Sequence, residues 1–269
     1  MVAAGLSYRE AGPAGGPVVL LLHGYPQSSF MWSDVMPAIA DAGWRAVAPD
    51  FAGYGDSEPD PPGTWEHHME SLERFRRELG IETCVLVVHD WGGIIGMRWA
   101  CDHPGVVRAL VISSTGFFPN GKWHGMAKAL REPGMGEQLL AGIDRDAFAA
   151  VMRESSSGMS DAAFDEYWKG YSDETRRRGQ LEMYRSGDFS KLEGYDLAAL
   201  GLPTLLLWGE DDEFAPVAGA HRFQRELPDT ELVVVEGARH FVWEDAPAES
   251  AGALTGFLAR VRGSAARSS

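Results

Sequence analysis

The sequence is poor in cysteine and in basic residues, and it lacks any long apolar run. Its two cysteines, Cys84 and Cys101, are typical of buried thiols in a reducing compartment rather than of a disulfide framework. Lys and Arg total 24 against 39 Asp and Glu, and the resulting net charge of −15 argues against nucleic acid or an anionic membrane surface as a partner. Apolar runs stay well short of the roughly 18 residues of a membrane span, and the first residues lack the basic and apolar regions of a signal peptide. We therefore expect a cytoplasmic protein.

Short apolar runs alternate with segments of helical periodicity along most of the chain. Runs that are apolar on both faces suit the central strands of a parallel sheet covered by helices on each side. These runs are residues 18–22, 44–48, 84–88, 109–112, 204–208 and 232–235. Between two of them, apolar residues recur from residue 65 to residue 79 with the spacing of an amphipathic helix. The alternation predicts an α/β fold with a mostly parallel, doubly wound sheet.

One interval of about ninety residues, between residues 112 and 204, breaks this alternation. It is rich in Met, Trp, Tyr and charged residues, and helical patterns recur around residues 126–131, 145–153, 161–171 and 174–184. A structureless loop of that length is not expected inside a compact domain, so the interval predicts a helical insertion. We predict a first core segment over residues 1–117, a helical cap over 118–199, a second core segment over 200–262 and a disordered tail over 263–269.

Asp90 stands at the end of the predicted strand 84–88, in the sequence V-V-H-D-W-G-G. Strand, sharp turn and helix in that order form a nucleophile elbow, in which a strained turn holds one side chain above the sheet beside a helix N-terminus. Small residues must flank such a side chain because backbone and helix approach closely, which explains Gly92 and Gly93. Taken alone, the pattern also fits an aspartate that caps the helix beginning at Gly92.

Three further segments follow predicted strands. H-G-Y-P (residues 23–26) lies where an oxyanion-hole loop belongs, W-G-E-D-D-E-F (208–214) offers an acid, and G-A-R-H-F (237–241) offers a histidine. Each alone also fits a turn histidine, an acidic surface loop or a histidine near the core. Together with Asp90, they supply a nucleophile, an acid and a base in that chain order, all at the carboxyl ends of strands.

These motifs resemble the α/β-hydrolase superfamily, specifically its aspartate-nucleophile branch of epoxide hydrolases and haloalkane dehalogenases. The resemblance covers nearly the whole chain: H-G-Y-P, D-F-A-G-Y-G-D-S (50–57), H-D-W-G-G, W-G-E-D-D and G-A-R-H-F. It implies an α/β-hydrolase fold with the cap inserted after the sixth strand, and a catalytic set of Asp90, Asp212 and His240. The family pattern G-x-x-D selects Asp212 over its neighbour Asp211. The N-terminus looks short by one strand, since L-S-Y-R-E (6–10) already resembles the second strand of the fold.

In this branch a carboxylate replaces the usual serine nucleophile. The resemblance implies that Asp90 attacks an sp³ carbon and forms an alkyl ester, by opening an epoxide or displacing a halide. His240, neutral and oriented by Asp212, then deprotonates the water that cleaves the ester. The backbone N–H groups of Tyr25 and Trp91 are expected to form the oxyanion hole. The residues that shape the elbow and the loop facing it are His23, Gly24, Pro26, Gly92 and Gly93.

The two substrate classes differ in the groups that stabilise the leaving atom. An epoxide oxygen needs a donor acid, usually a pair of cap tyrosines, whereas a halide needs N–H donors such as indole nitrogens. L-E-M-Y-R-S (181–186) is similar to an epoxide-hydrolase segment that carries one ring-opening tyrosine, which places this role on Tyr184. The partner tyrosine would fall around Met126, where none stands; Tyr167 and Tyr171 fit either packing or this second role.

For a halide, Trp91 is one suitable donor, and the second indole would come from Trp123 or Trp168, each of which also fits packing. The segment S-S-T-G-F after residue 112 contains no acid, which disfavours the dehalogenase subgroup that places its carboxylate there.

We therefore predict an epoxide hydrolase that gives a diol. A haloalkane dehalogenase, giving an alcohol and a halide, is the alternative, and a non-catalytic small-molecule-binding protein is the alternative of another class. We expect a small apolar organic substrate, no metal and no cofactor, and the sequence permits a homodimer.

Overall fold

Eight strands form one mostly parallel sheet. The computed structural model describes residues 1–265 of the chain. The strands are β1 (Val2–Ala3), β2 (Leu6–Ala11), β3 (Val18–Leu22), β4 (Arg45–Pro49), β5 (Cys84–His89), β6 (Val107–Ser113), β7 (Thr204–Gly209) and β8 (Thr230–Val235). Their order across the sheet is β1-β2-β4-β3-β5-β6-β7-β8, with β1 and β2 antiparallel to their neighbours and the others parallel. The central β3 and β5 are buried along their whole length, as expected for strands covered on both faces.

Helices follow most of the parallel strands. They are α1 (Met36–Asp41), α2 (Trp65–Glu78), α3 (Trp91–Asp102), α4 (Gly125–Arg131), α5 (Met135–Gly142), α6 (Arg145–Ser155), α7 (Asp161–Trp168), α8 (Glu174–Ser186), α9 (Ala218–Glu226), α10 (Val242–Asp245) and α11 (Pro247–Ala265). We call α4–α8, which lie between β6 and β7, the cap helices. Short 3₁₀ turns occupy Ser29–Trp32, Lys169–Tyr171, Phe189–Leu192 and Ala198–Leu200.

Helix α2 shows how the sequence pattern produces a layer of the fold. The side chain of Thr64 accepts a hydrogen bond from the backbone N–H of His67 and so caps the helix at its first turn. The apolar residues with helical spacing are its buried face: Trp65, Met69, Leu72 and Phe75. This face packs on α3, and the ring of Phe75 lies edge-on to that of Tyr8 in β2, with centroids 5.4 Å apart.

One carboxylate, that of Asp245, bonds to both the cap and the core. Asp245, at the end of α10, accepts hydrogen bonds through Oδ1 from Ser156 Oγ (2.5 Å) and from the backbone N–H groups of Ser157 (2.8 Å) and Gly158 (3.1 Å), in the turn between α6 and α7. Its Oδ2 accepts from the backbone N–H of Arg239 at 2.8 Å. A single side chain therefore fixes the cap turn and the loop after β8 to each other.

The predicted α/β class with a mostly parallel sheet is confirmed. The predicted apolar runs coincide with strands, except that Trp44 lies one residue before β4. The expected shortage of one N-terminal strand is wrong, because Val2–Ala3 pairs with β2. Cys84 is buried, whereas Cys101 is only half-buried; both are free thiols.

The prediction of a disordered tail is wrong for residues 263–265, which continue α11. The rest of that predicted tail, residues 266–269, lies outside the described residues. The domain boundaries at residues 117 and 200 remain predictions. Within residues 1–265, no helix has both the length and the apolar character needed to cross a bilayer.

Replacing Asp245 with Ala should lower the free energy of unfolding by about 2–4 kcal/mol, because several backbone and hydroxyl donors lose a charged acceptor at once. Chemical denaturation measures the change. Asp41→Ala is the matched control: Asp41 is exposed at the end of α1, and its loss should change stability by about 0.5 kcal/mol or less. Equal effects of the two substitutions would contradict this account of the cap attachment.

Candidate active site

Asp90 occupies a strained turn between β5 and α3. Its backbone angles, φ 48° and ψ −120°, lie in a region that non-glycine residues rarely adopt. The helix beginning at Trp91 can follow so sharply because a side chain is absent at Gly92, where a Cβ would lie 2.5 Å from the carbonyl oxygens of Leu22 and His23. The turn therefore holds the Asp90 carboxylate at the carboxyl end of the sheet.

The Asp90 carboxylate accepts a hydrogen bond from the loop after β3 rather than capping α3. The backbone N–H of Tyr25 donates to Asp90 Oδ1 at 2.7 Å. The loop can approach this closely because residue 24 is glycine: a Cβ on Gly24 would lie 2.4 Å from the Asp90 Cβ. Trp91 is the first residue of α3, where a backbone N–H has no acceptor within the helix. Both predicted oxyanion-hole residues therefore lie next to Asp90.

His23 holds the loop rather than taking part in the chemistry. It is buried, and its Nε2 accepts from the backbone N–H of Phe51 at 2.9 Å, which leaves Nδ1–H to donate to the carbonyl oxygen of Gly24, also at 2.9 Å. Burial lowers the pKa of His23, so the ring stays neutral in this role. The Tyr25–Pro26 peptide that follows is cis.

The predicted acid and base lie together above the ends of β7 and β8. His240 Nδ1 lies 3.0 Å and 3.1 Å from the two carboxylate oxygens of Asp212, and His240 Nε2 lies 3.7 Å from Asp90 Oδ2. The backbone N–H groups of Phe214 and Ala215 also donate to Asp212 Oδ1. Asp212 is buried, whereas its neighbour Asp211 is exposed. The geometry thus joins Asp90, His240 and Asp212 into one chain of contacts.

Two carboxylates flank one imidazole in this chain. Burial disfavours the charged form of His240, but the charges and hydrogen bonds of Asp212 and Asp90 outweigh it and raise the pKa of His240 to about 10. Burial acts against ionisation of Asp90 and Asp212 as well, and the contact with His240 holds the pKa of each carboxyl below its ordinary value. All three pKa shifts favour the arrangement of two carboxylates and one imidazolium.

Tyr184, on α8, projects from the cap helices toward Asp90. Its ring packs edge-on against Trp91, with centroids 5.1 Å apart, and against Tyr25, with centroids 5.0 Å apart. Arg131 of α4 donates to the backbone carbonyl of Tyr184 and so links the two cap helices here. Burial and the nearby charge of Asp90 raise the pKa of Tyr184 well above its usual value, so the phenol keeps its proton.

The other predicted aromatic residues divide into two groups. Trp123 stacks on Trp91, with centroids 5.4 Å apart and planes at 24°, and lines the cavity beside Asp90. Trp168 instead stacks on Tyr171 and is not among the residues that line the cavity beside Asp90, so the structure does not bring it to Asp90.

The hydroxyl groups of the two remaining cap tyrosines are engaged elsewhere. Tyr171 donates to the Tyr25 hydroxyl at 2.6 Å, and Tyr167 donates to Glu244 at 2.7 Å. Neither phenol proton is therefore directed to a molecule bound above Asp90, and both residues serve packing and cap attachment.

Sequence reasoning missed His124, which lines the cavity with Asp90 and His240. It caps α4, with Nδ1 accepting from the backbone N–H of Ala127 at 3.5 Å, so Nε2 carries the hydrogen of the neutral ring. Burial lowers the pKa of His124 despite the charge of Asp90. The signal was its place just before a predicted helix, two residues from Met126, where a second donor was expected.

The cavity has two arms that meet above Asp90. Both arms are lined by Asp90, His124, Tyr184, Phe214 and His240. The first arm, about 300 Å³, continues along Thr115, Gly116, Phe118, Trp123, Phe189 and Gly219. The second arm, about 160 Å³, continues under the cap helices along Leu130, Leu140, Ile143, Phe148, Met152 and Tyr171.

Comparison with known proteins agrees with this geometry. A family model described as the alpha/beta hydrolase fold matches residues 17–247. A haloalkane dehalogenase from Mesorhizobium japonicum is 31% identical over 89% of this chain and 83% of its own length, and epoxide hydrolase 3 from Siraitia grosvenorii is 28% identical over 91% and 92%. The crystal structure of a haloalkane dehalogenase loop variant from Bradyrhizobium elkanii matches with a TM-score of 0.87 at 25% identity, covering 100% of this chain and 98% of that one. The chain is therefore a hydrolase that belongs to the α/β-hydrolase family.

Proposed function

We propose that Asp90 is a nucleophile that forms an alkyl ester, and that His240, oriented by Asp212, activates the water that cleaves it. The observation that carries the proposal is the division of the Asp90 carboxylate: Oδ1 accepts from the Tyr25 N–H at 2.7 Å, while Oδ2 faces His240 Nε2 and the cavity. Oδ2 is then free to attack a carbon atom. Oδ1 would become the oxyanion of ester hydrolysis, and it already accepts from the backbone N–H of Tyr25; we propose the N–H of Trp91, the first residue of α3, as the second donor.

The substrate we favour is an epoxide. Attack by Asp90 on a ring carbon breaks the carbon–oxygen bond, and the released oxygen needs a proton. Tyr184 and His124 both line the cavity where this oxygen would lie, and each carries a hydrogen on a neutral ring. We propose them as the pair of donors, with His124 in the place for which no tyrosine was found.

The charges in the site fit this order of steps. Formation of the ester removes the negative charge of Asp90, one of the two carboxylates that raise the pKa of His240. The imidazolium therefore loses its proton more readily at the stage when a neutral base is required. Opening the epoxide takes one proton from the donor pair, and the proton that the His240 imidazolium then gives up restores the donor, so the protons balance over the two steps.

A haloalkane dehalogenase is the second candidate. The indoles of Trp91 and Trp123 line the first arm, and indole N–H groups suit a halide ion. The dehalogenase names among the relatives also favour it. A binding protein without turnover, the remaining alternative, would leave the Asp90 carboxylate unmodified.

Replacing His240 with Gln should permit alkylation of Asp90 and block hydrolysis of the ester, because the base acts in the second step. Intact-protein and peptide mass analysis should show an adduct on Asp90, equal in mass to the substrate for an epoxide or to the substrate minus hydrogen halide for an alkyl halide. The double variant Asp90→Asn/His240→Gln is the control and should stay unmodified. An unmodified single variant after exposure to a proven substrate would contradict this division of roles.

Tyr184→Phe should slow alkylation by an epoxide by roughly 10²-fold, because a donor to a developing negative charge is lost. His124→Phe should slow the same step, and Trp91→Phe should matter less. Tyr195→Phe is the control, since that hydroxyl contacts Arg98 and Asp102 outside the cavity. Single-turnover rates on an epoxide and on a bromoalkane measure the effects. Fast bromide release that tolerates loss of Tyr184 but not of Trp91 would favour the dehalogenase instead.

Asp90→Asn should lower the pKa of His240 from about 10 toward its ordinary range, because removing a neighbouring negative charge destabilises the imidazolium. Titration of the ¹⁵N-labelled imidazole by NMR measures the change. Asp211→Asn, at the exposed neighbour of Asp212, should leave the titration in place. A His240 pKa that is the same in wild type and in Asp90→Asn would exclude the proposed coupling.

A further inference from the structure

The two arms of the cavity meet at the proposed reaction centre and diverge from it along different residues. Asp90 and His240 form the shared floor, and Tyr184, His124 and Phe214 complete the junction. The first arm runs toward the N-terminal end of α9 at Gly219, and the second runs beneath α4, α5 and α6. A carbon atom placed over Asp90 Oδ2 thus has open space in two directions.

The second arm is built to take a hydrocarbon chain. Its walls are the side chains of Leu130, Leu140 and Met152, all buried in the cap. Its outer end lies between side chains that are unusually exposed for apolar residues, including Leu139 at 42% and Val151 at 45%. Apolar surface around a concave site favours an apolar ligand.

The first arm also has room for a substituent. It is lined by the aromatic rings of Phe118, Trp123 and Phe189. At Gly219, an added Cβ would meet its nearest neighbours at 3.8 Å and 3.9 Å, which are ordinary contact distances. A substrate with a single chain on a terminal carbon fills one arm and leaves the other to water.

From these two arms we infer that the substrate carries a carbon substituent on each of the two carbons of the reacting ring, as in a disubstituted oxirane, rather than a chain on one carbon only. The inference rests on the proposed function and narrows its substrate class. Two chains, one in each arm, remove apolar surface from water and hold the ring over Asp90 in a fixed orientation. A terminal oxirane of the same composition gains only one of these contacts.

The first test compares two isomers of equal composition, dipropyloxirane with one propyl group on each ring carbon and hexyloxirane with a single chain. Since one methylene in an apolar pocket is worth roughly ten-fold or more, dipropyloxirane should have a kcat/KM at least about ten-fold higher. Equal values, or a preference for hexyloxirane, would overturn the inference.

Variants that fill one arm sharpen the test. Val151→Trp narrows the second arm, and Ala150→Trp is its control at an exposed position on the same helix. Gly219→Phe fills the first arm, and Gln224→Phe is its control on α9. Each filling variant should lower kcat/KM for dipropyloxirane by about ten-fold or more and for hexyloxirane by less than about three-fold, because a single chain can use the open arm. Equal losses on both substrates would mean that the arms serve only as passages, and would contradict the inference.

Failure of the proposed function has a different signature. If the enzyme opens neither oxirane, kcat/KM is measured for octyl bromide and for its isomer with bromine in mid-chain, with the same variants. A higher kcat/KM for the mid-chain isomer supports a substrate that occupies both arms. A higher kcat/KM for octyl bromide overturns the inference. Without any turnover, the rise in Tm with a mid-chain octanol is compared with that for the primary octanol. A larger rise with the mid-chain alcohol, lost in both filling variants, supports the inference, and equal rises overturn it.

Discussion

The structure keeps the carboxylate of Asp90 charged although it lies largely out of water, and much of the surrounding structure serves to stabilise that charge. Desolvation penalises the charged form, so the site has to supply compensating contacts. It does so with one backbone donor from Tyr25 and with the imidazolium of His240. His240 is in turn held by Asp212, whose own charge is satisfied by backbone N–H groups in the turn after β7. The result is a net single negative charge that the proposed ester would neutralise.

The same requirement explains the tight packing at the carboxyl ends of β3 and β5. Asp90 is held in a backbone conformation that costs of order 1–3 kcal/mol, and such strain persists only where the surroundings enforce it. The surroundings here are two fully buried strands and a helix whose second and third residues, Gly92 and Gly93, have no side chain. Gly24 and Gly92 provide the room that allows the loop, the turn and the helix to meet.

Core and cap contribute different parts of the proposed chemistry. The core holds Asp90, Asp212 and His240, the residues that we propose make and cleave the ester. The cap helices bring Tyr184 and His124, the proposed donors to the leaving atom, and most of the second arm. Asp245 links these two parts, because it binds the cap turn with one oxygen and the backbone beside His240 with the other. The kind of substrate is therefore a property of the cap more than of the core.

The sequence by itself determined the α/β class, the positions of the parallel strands and the residues of the nucleophile, acid and base segments. It could do so because strands buried on both faces and sharp strand-to-helix turns constrain the residues next to them in the chain. From the sequence alone, Asp90 fits either a helix cap or a nucleophile. The structure places its carboxylate against Tyr25, more than sixty residues earlier in the chain, and against His240, which lies much further along it.

Only the tertiary structure decided which cap residues reach the site. The sequence does not distinguish the aromatic residues of the cap from one another, because each lies on an amphipathic helix or next to one. These residues are Trp123, Tyr167, Trp168, Tyr171 and Tyr184. Which of them faces the cavity depends on how the cap helices pack on one another and on the core, which no local pattern records. For the same reason His124 went unnoticed: its significance comes from lining the same cavity as Asp90, and the fold alone brings the two residues there.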